Sequence, residues 1–345
     1  MAQGYEALFA GEASCRSCHP GESALYHHSG HSQTLRRAAD RGDLAAWLEG
    51  KQVADPSEPG ADFHYRREDG RIVAERTSPG GVDLNVLDYA FGSGHHATTF
   101  VTMTDADPAH LAGIEHRMTA FAKGPRLDTT PGQGKPYDVG TAQRVPQGRK
   151  IDAEEMKKCF ACHVTVLSDR GDETLDVATM VMNVSCERCH GPGKAHVEAA
   201  QRGESPLRMP FGPRRTSAMQ EIRLCGRCHR LPEDAPAGAV RPDNEHLVRF
   251  PPVGLMASRC FEGSGGTLRC TTCHEPHSTT STDAARYEAA CLSCHKTAPQ
   301  PVCRVSPSNG CIGCHMPRRE VIQGAVFTDH WIRIHPRDGK SPSPH

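Results

Sequence analysis

The pentapeptide Cys-x-x-Cys-His recurs seven times along the 345-residue chain. The copies are Cys15-x-x-Cys18-His19, Cys159-x-x-Cys162-His163, Cys186-x-x-Cys189-His190, Cys225-x-x-Cys228-His229, Cys270-x-x-Cys273-His274, Cys291-x-x-Cys294-His295 and Cys311-x-x-Cys314-His315. Two thiols three positions apart share one face of a helical turn, so both can bond the vinyl groups of one porphyrin. The next residue then presents its imidazole to the iron as proximal ligand. The pattern is that of covalent c-type haem attachment and predicts seven haems. Two alternatives use the same thiols. A zinc site would pair Cys-x-x-Cys units without requiring His after each, and a redox dithiol needs one motif on a βαβ scaffold.

Composition fits a chain that folds around cofactors. Hydrophobic residues make up 37% and aromatics 5%, against 33 Gly and 26 Pro, a poor inventory for an ordinary core of this length. The haem-free polypeptide is therefore expected to be largely unfolded. Lys and Arg (40) nearly balance Asp and Glu (41), with no basic block to suggest nucleic acid; haem propionates would turn the holoprotein negative. No apolar run reaches membrane-spanning length. Residues Met1 to Ala13 do not read as a signal peptide. Covalent haem attachment takes place outside the cytoplasm in bacteria, so the expectation is a periplasmic or extracellular protein whose signal was removed or missed.

The motifs are unevenly spread, one near the N-terminus and six between residues 159 and 315. The expected fold class is mainly α with extensive irregular loops, packed on haem, with a small antiparallel β subdomain between the first and second motifs. Residues 1–54 would hold the first haem and a helix over Gln33 to Leu48, whose apolar residues can share a face. Residues 55–125 read as the β subdomain. Asp69-Gly70 between two β-rich runs signals a hairpin, and further extended runs follow at Leu84–Phe91 and Thr98–Thr104. Residues 126–150, rich in Pro and Gly, read as a linker loop. Residues 151–335 form the six-haem segment, with helices opening at Asp152, Ser217 and Asp283 before the second, fourth and sixth motifs. Residues 336–345 read as a disordered tail.

Cys260 and Cys303 lie outside the motifs. A disulfide between them is plausible chemistry in an oxidising compartment, and two buried free thiols are the alternative.

The second axial position of each iron separates electron carriage from catalysis. Of 21 histidines, seven follow a motif, leaving 14 for distal sites. Several segments resemble the multihaem cytochrome c family related to the tetrahaem cytochromes of ammonia oxidation. More distantly the chain is similar to octahaem hydroxylamine oxidoreductases and pentahaem nitrite reductases. Tyr26-His27-His28-Ser29-Gly30-His31 resembles a family Trp-x-x-Ser-x-His, with Tyr in place of Trp. Gly191-Pro192-Gly193-Lys194-Ala195-His196 after the third motif, Glu275-Pro276-His277 after the fifth, Phe327-Thr328-Asp329-His330-Trp331 near the end and Gly92-Ser93-Gly94-His95-His96 in the long gap also match family segments. The resemblance nominates His31, His96, His196, His277 and His330 as distal ligands; His116 and His246 are further candidates. His277 is only three residues after His274 and cannot reach the opposite face of the same iron, so it would address an adjacent haem. The same constraint holds for His196.

The leading expectation is an electron carrier that exchanges electrons with other redox proteins, with no catalytic residue assigned. A reductase or oxidase of a small nitrogen or sulfur compound, with one open haem, is the alternative. The resemblance to nitrite reductases lacks their Cys-x-x-Cys-Lys motif. A subunit of an oligomer, larger cytochrome assembly or filament is the third reading.

Overall fold

The computed structural model describes residues 7–104, 112–122, 124–134, 144–167, 180–205, 209–212, 216–296, 303, 305–306, 308–322 and 325–335. The segment expected as a tail, 336–345, lies outside them. The chain divides into two compact units, residues 1–212 and 213–345.

The first unit is built on two antiparallel sheets. Its strands are β1 (Leu35–Arg37), β2 (Gln52–Ala54), β3 (Asp62–Glu68), β4 (Arg71–Ser78), β5 (Gly81–Leu87), β6 (Tyr89–Phe91), β7 (Ala97–Met103), β8 (Gly113–Phe121), β9 (Arg126–Thr129), β10 (Arg144–Val145) and β11 (Gly148–Ile151). One sheet has the order β2-β3-β4-β5. The other runs β1-β6-β7-β8-β11-β10, with β9 also on β8. The first half of β8 pairs β11 and its second half pairs β9.

The predicted hairpin is present. Glu68 pairs with Arg71, and Asp69 and Gly70 both have positive φ, 49° and 74°, the geometry a tight two-residue hairpin turn demands. Alternation along the strands sends Phe63 and Tyr65 of β3 inward. They join Ile72, Ala74, Leu87, Ala90, Phe100, Met118 and Ala120 in one apolar cluster. The helix Gly42–Leu48 adds Leu44, Ala45 and Leu48 to it. Burying each of the larger side chains contributes about 1.5–3 kcal/mol.

Neighbouring residues on the same strands point to the opposite face. Leu35, Tyr89, Val101 and Ile151 form a second cluster with Met156, Phe160 and Val164. This face holds the helix Ala153–His163, which ends in the second motif. Phe160 sits edge-on to Tyr89 and Phe91, with ring centroids 5.5 and 5.3 Å apart. A Cβ at Gly113 would stand 2.7 Å from Met156 Cε and 2.7 Å from the Thr102 carbonyl, so only glycine lets helix and sheet approach this closely.

Two expectations for this unit are corrected. The helix over Gln33 to Leu48 is confined to Gly42–Leu48. Upstream of it, β1 pairs with β6, Leu35 opposite Phe91, because a fully buried Leu35 gains more from the sheet than from a helical face. The loop over 126–150 carries β9, β10 and β11 among its described residues, since β8 offers both halves of its free edge for pairing.

The second unit is helical. Its helices include Ala218–His229, Pro251–Met256, Arg259–Gly263, Ala284–His295 and Cys311–His315, with one hairpin, Arg318–Ile322 with Ala325–Thr328. The caps fall where the sequence places them. Ser217 makes a capping box with Gln220, and Asp283 accepts the Ala285 N–H. The helix-dominated expectation describes this unit, whereas the first is largely sheet. Among described residues, the second unit's buried hydrophobics are Ala218, Ile222, Leu247, Val248 and Val253. No described helix is long and apolar enough to cross a membrane.

Candidate haem sites

Each motif occupies a helical turn. The second, fourth and sixth end the helices Ala153–His163, Ala218–His229 and Ala284–His295. The third and seventh are single-turn helices, Cys186–His190 and Cys311–His315. Cys15 lies in Glu12–Arg16, with Cys18 and His19 just beyond it. The fifth is a 3-10 turn, Cys270–Thr272, closed by His274 N donating to the Cys270 carbonyl at 3.0 Å. In all of these the two thiols are one turn apart, as attachment to one porphyrin requires.

Several imidazoles are prepared as metal ligands. Nδ1 of His163 donates to the Thr34 carbonyl at 2.8 Å, His190 to Phe211 at 3.0 Å, and His315 to Arg333 at 3.1 Å. The nominated distal residue His330 does the same to Thr328 at 2.9 Å. A carbonyl on Nδ1 fixes the tautomer and turns the Nε2 lone pair outward. Burial lowers the pKa of His163, His274 and His330 below the ordinary value, keeping these rings neutral, the state that binds metal.

Two proximal histidines face two nominated distal ones. The His19 and His196 ring centroids are 6.5 Å apart with an interplanar angle of 29°. Those of His274 and His330 are 6.1 Å apart at 34°. Two metal–nitrogen bonds of about 2 Å, plus the half-width of each ring, put the centroids of a bis-imidazole pair roughly 6–6.5 Å apart. An open cavity of about 230 Å³, lined in part by Thr271, Cys273, His274 and Arg286, adjoins the second pair. These residues fit a haem at each place.

The other nominees are distributed as follows. His31 lies in a 3-10 turn whose carbonyl accepts Val184 N at 3.1 Å, just before the third motif. The loop carrying His96 packs on that turn: a Cβ at Gly30 would meet Ser93 Cβ at 3.3 Å and His95 Cδ2 at 3.6 Å. His96 itself is exposed. His277 bonds Glu275 Oε1 through Nδ1 at 2.7 Å. His246 is exposed in the 3-10 turn Glu245–Arg249. His116 stands apart. It is fully buried between Phe63, Tyr65 and Phe100, with Nε2 hydrogen-bonded to Tyr65 Oη at 2.8 Å. Burial pushes its pKa down to about 3, and its ring belongs to the sheet core.

The motifs meet in pairs. The helices carrying Cys15 and Cys186 pack together, as do Ala218–His229 with the Cys270 turn, and Ala284–His295 with Cys311–His315. The Cys15 thiol hydrogen-bonds that of Cys186, and burial first, then this neighbour, pushes it up to about 12. Cys225 is raised by its hydrogen bond to Cys270. Burial, then Cys311, pushes Cys291 up to about 11. Among the described residues no three His, Cys, Asp or Glu converge as a metal-ion cluster.

The expected Cys260–Cys303 disulfide is not formed; both are free thiols. Cys260 is half-buried, and its charge neighbours are the motif cysteines Cys273, Cys291 and Cys294. Cys303 is exposed, with Sγ accepting Ser306 N at 3.4 Å. Each thiol is taken up by its own local surroundings. The sequence reading also passed over three buried glutamates, Glu187, Glu221 and Glu288, which stand where motifs meet. Their only local signal is position: one lies inside a motif and two lie within one turn ahead of a motif's first cysteine.

Comparisons with known proteins fall on the class these sites define, that of multihaem c-type cytochromes, whose haem is covalently bound. A family model described as cytochrome c554 and c-prime matches residues 135–191. The dissimilatory sulfite reductase MccA of Wolinella succinogenes is 27% identical over 177 residues, 40% of this chain and 23% of that protein. The chain thus matches less than a quarter of this curated relative's length. The crystal structure of the outer cell wall cytochrome OcwA aligns with a TM-score of 0.48 at 13% identity, over 94% of this chain and 80% of that one.

Proposed function

We propose that the chain holds seven haems c, mostly between two histidines each, and conducts electrons between redox partners outside the cytoplasm. The observation that carries this reading is the facing of His19 with His196 and of His274 with His330, at 6.5 and 6.1 Å. A haem bound there supplies a one-electron iron couple. The paired imidazoles would hold its iron from both sides, leaving no place for a substrate and favouring a low potential. His31, His96 and His277 are the remaining distal candidates; His116 serves the sheet core. The seven motifs support the haem count, and their meeting in pairs supports close cofactor spacing.

The test is low-temperature EPR of the oxidised holoprotein, matured with its haems, alongside a haem count by pyridine haemochrome. Seven haems with low-spin ferric signals only are expected. His196→Ala and His330→Ala are each expected to turn one haem in seven high-spin. Retention of an all-low-spin spectrum by both variants would sink the ligand assignment.

A second reading is a reductase of a small sulfur or nitrogen compound at one open haem. The match to a dissimilatory sulfite reductase favours it. A high-spin signal from about one haem in seven in the unmodified protein would select it over the carrier, and sulfite, nitrite and hydroxylamine would then be tried as substrates.

A further inference from the structure

Glu187, Glu221 and Glu288 are the three buried glutamates among the described residues, at 5%, 6% and 9% exposure. A carboxylate is costly to bury unless donors satisfy it, so the place of each needs a reason. Glu187 follows the first cysteine of the third motif. Its Oε1 accepts Ala10 N at 2.8 Å and Gly193 N at 2.8 Å, and its Oε2 accepts Gly11 N at 3.0 Å. Ala10 and Gly11 lead directly into the helix of the first motif. Glu221, one turn before Cys225, accepts Thr271 N at 2.8 Å and Thr271 Oγ1 at 3.0 Å. Arg269 stands 3.6 Å away. Thr271 follows the first cysteine of the fifth motif. Glu288, just before Cys291, accepts Ile312 N at 3.5 Å, and Ile312 follows the first cysteine of the seventh.

The same arrangement thus occurs three times in different local folds. A carboxylate on one motif's segment takes one or two backbone N–H groups from another motif's segment, beside the first cysteines of both, at 2.8–3.0 Å for Glu187 and Glu221 and at 3.5 Å for Glu288. At two of these places the cysteines themselves touch, Cys15 with Cys186 and Cys225 with Cys270.

We infer that Glu187, Glu221 and Glu288 are positioning residues that fasten the haem motifs in pairs, first with third, fourth with fifth and sixth with seventh, and that each places one buried negative charge beside two haems. The inference rests on the seven-haem reading above. Charge-assisted bonds to backbone N–H groups are strong and directional, so they fix the distance between two attachment sites more tightly than apolar contact would. A buried anion also favours the ferric over the ferrous state of nearby iron, because its field is little screened there.

The experiment is a spectroscopic redox titration of the holoprotein and of Glu187→Gln, Glu221→Gln and Glu288→Gln, with EPR of the oxidised forms. Each variant is expected to move two reduction waves to higher potential, a different two each time, and to alter the spin coupling of that pair alone. Thr271→Val keeps the Glu221 charge but removes one donor to it. It is expected to move the Glu221→Gln waves the other way, and it decides the matter if the glutamine variants fail to mature. Waves that shift all together, or not at all, with seven haems in place overturn the inference. Fewer than seven haems in the unmodified protein overturns the seven-haem reading instead.

Discussion

The two units of this chain reach the same task by different physical means. Residues 1–212 carry both apolar clusters, a sandwich of sheets whose second face grips the helix of the second motif. Residues 213–345 carry four motifs and few buried hydrophobics among those described. The first unit has a protein core of its own, whereas the second buries few apolar side chains among those described, and bound haems would supply the missing apolar surface. The contrast shows what the β insertion contributes: a packed apolar face for one attachment helix.

The sharpest way to break this contrast is to withhold haem. The unfolding that composition predicts for the haem-free chain is now expected of the second unit alone: amide exchange over 216–296 should run near the rate of unfolded peptide, while the packed cores let β3, β4, β7 and β8 keep protection. Protection over 216–296 without haem would erase the distinction between the units.

Phe100→Ala comes next. Removing a fully buried aromatic from the sandwich should cost about 3–5 kcal/mol. Calorimetry of the holoprotein should show one transition lowered while the other stays. A shift of both would mean the units do not melt separately.

Acid should distinguish the units more gently. Burial holds His116 at a pKa of about 3, against an ordinary 6.5, with Arg117 and Asp55 opposing each other nearby. The unfolded chain therefore takes up a proton between these values that the folded sheet does not. Stability from this group is complete above pH 6.5 and falls as pH drops towards 3. Denaturant titrations from pH 7 to 4 should show this slope in the first unit, and His116→Gln should flatten it. An equal slope in the variant would assign the acid sensitivity to other groups.

The smallest effect is expected at the cap of the fourth motif's helix. Ser217→Ala loses the capping box and should cost about 1 kcal/mol, seen as a small shift in the second unit's transition. A larger loss would mean that this unit leans on its helices more than on its haems.

Much of the fold was legible because its signals are local. Five adjacent residues spell each attachment site, since both thioethers and the proximal bond form within one helical turn. Asp69-Gly70 announced its hairpin through backbone conformation alone, and Ser217 and Asp283 announced helix starts through their own side-chain oxygens. The strand β1 was illegible, because Leu35 reads equally well as helix until Phe91 is seen beside it. His116 looked like any candidate ligand until Tyr65 and two phenylalanines closed around it.

By itself, then, the sequence determined that this is a chain of covalent haem sites with a β insertion. It could not say which histidine meets which, because His19 and His196, or His274 and His330, are joined by no local rule of spacing. Nor could it show that Glu187, Glu221 and Glu288 span motifs. Those pairings depend on where distant segments pack, and only the tertiary structure decides that, since an axial ligand or a buried carboxylate is defined by what lies across from it in space.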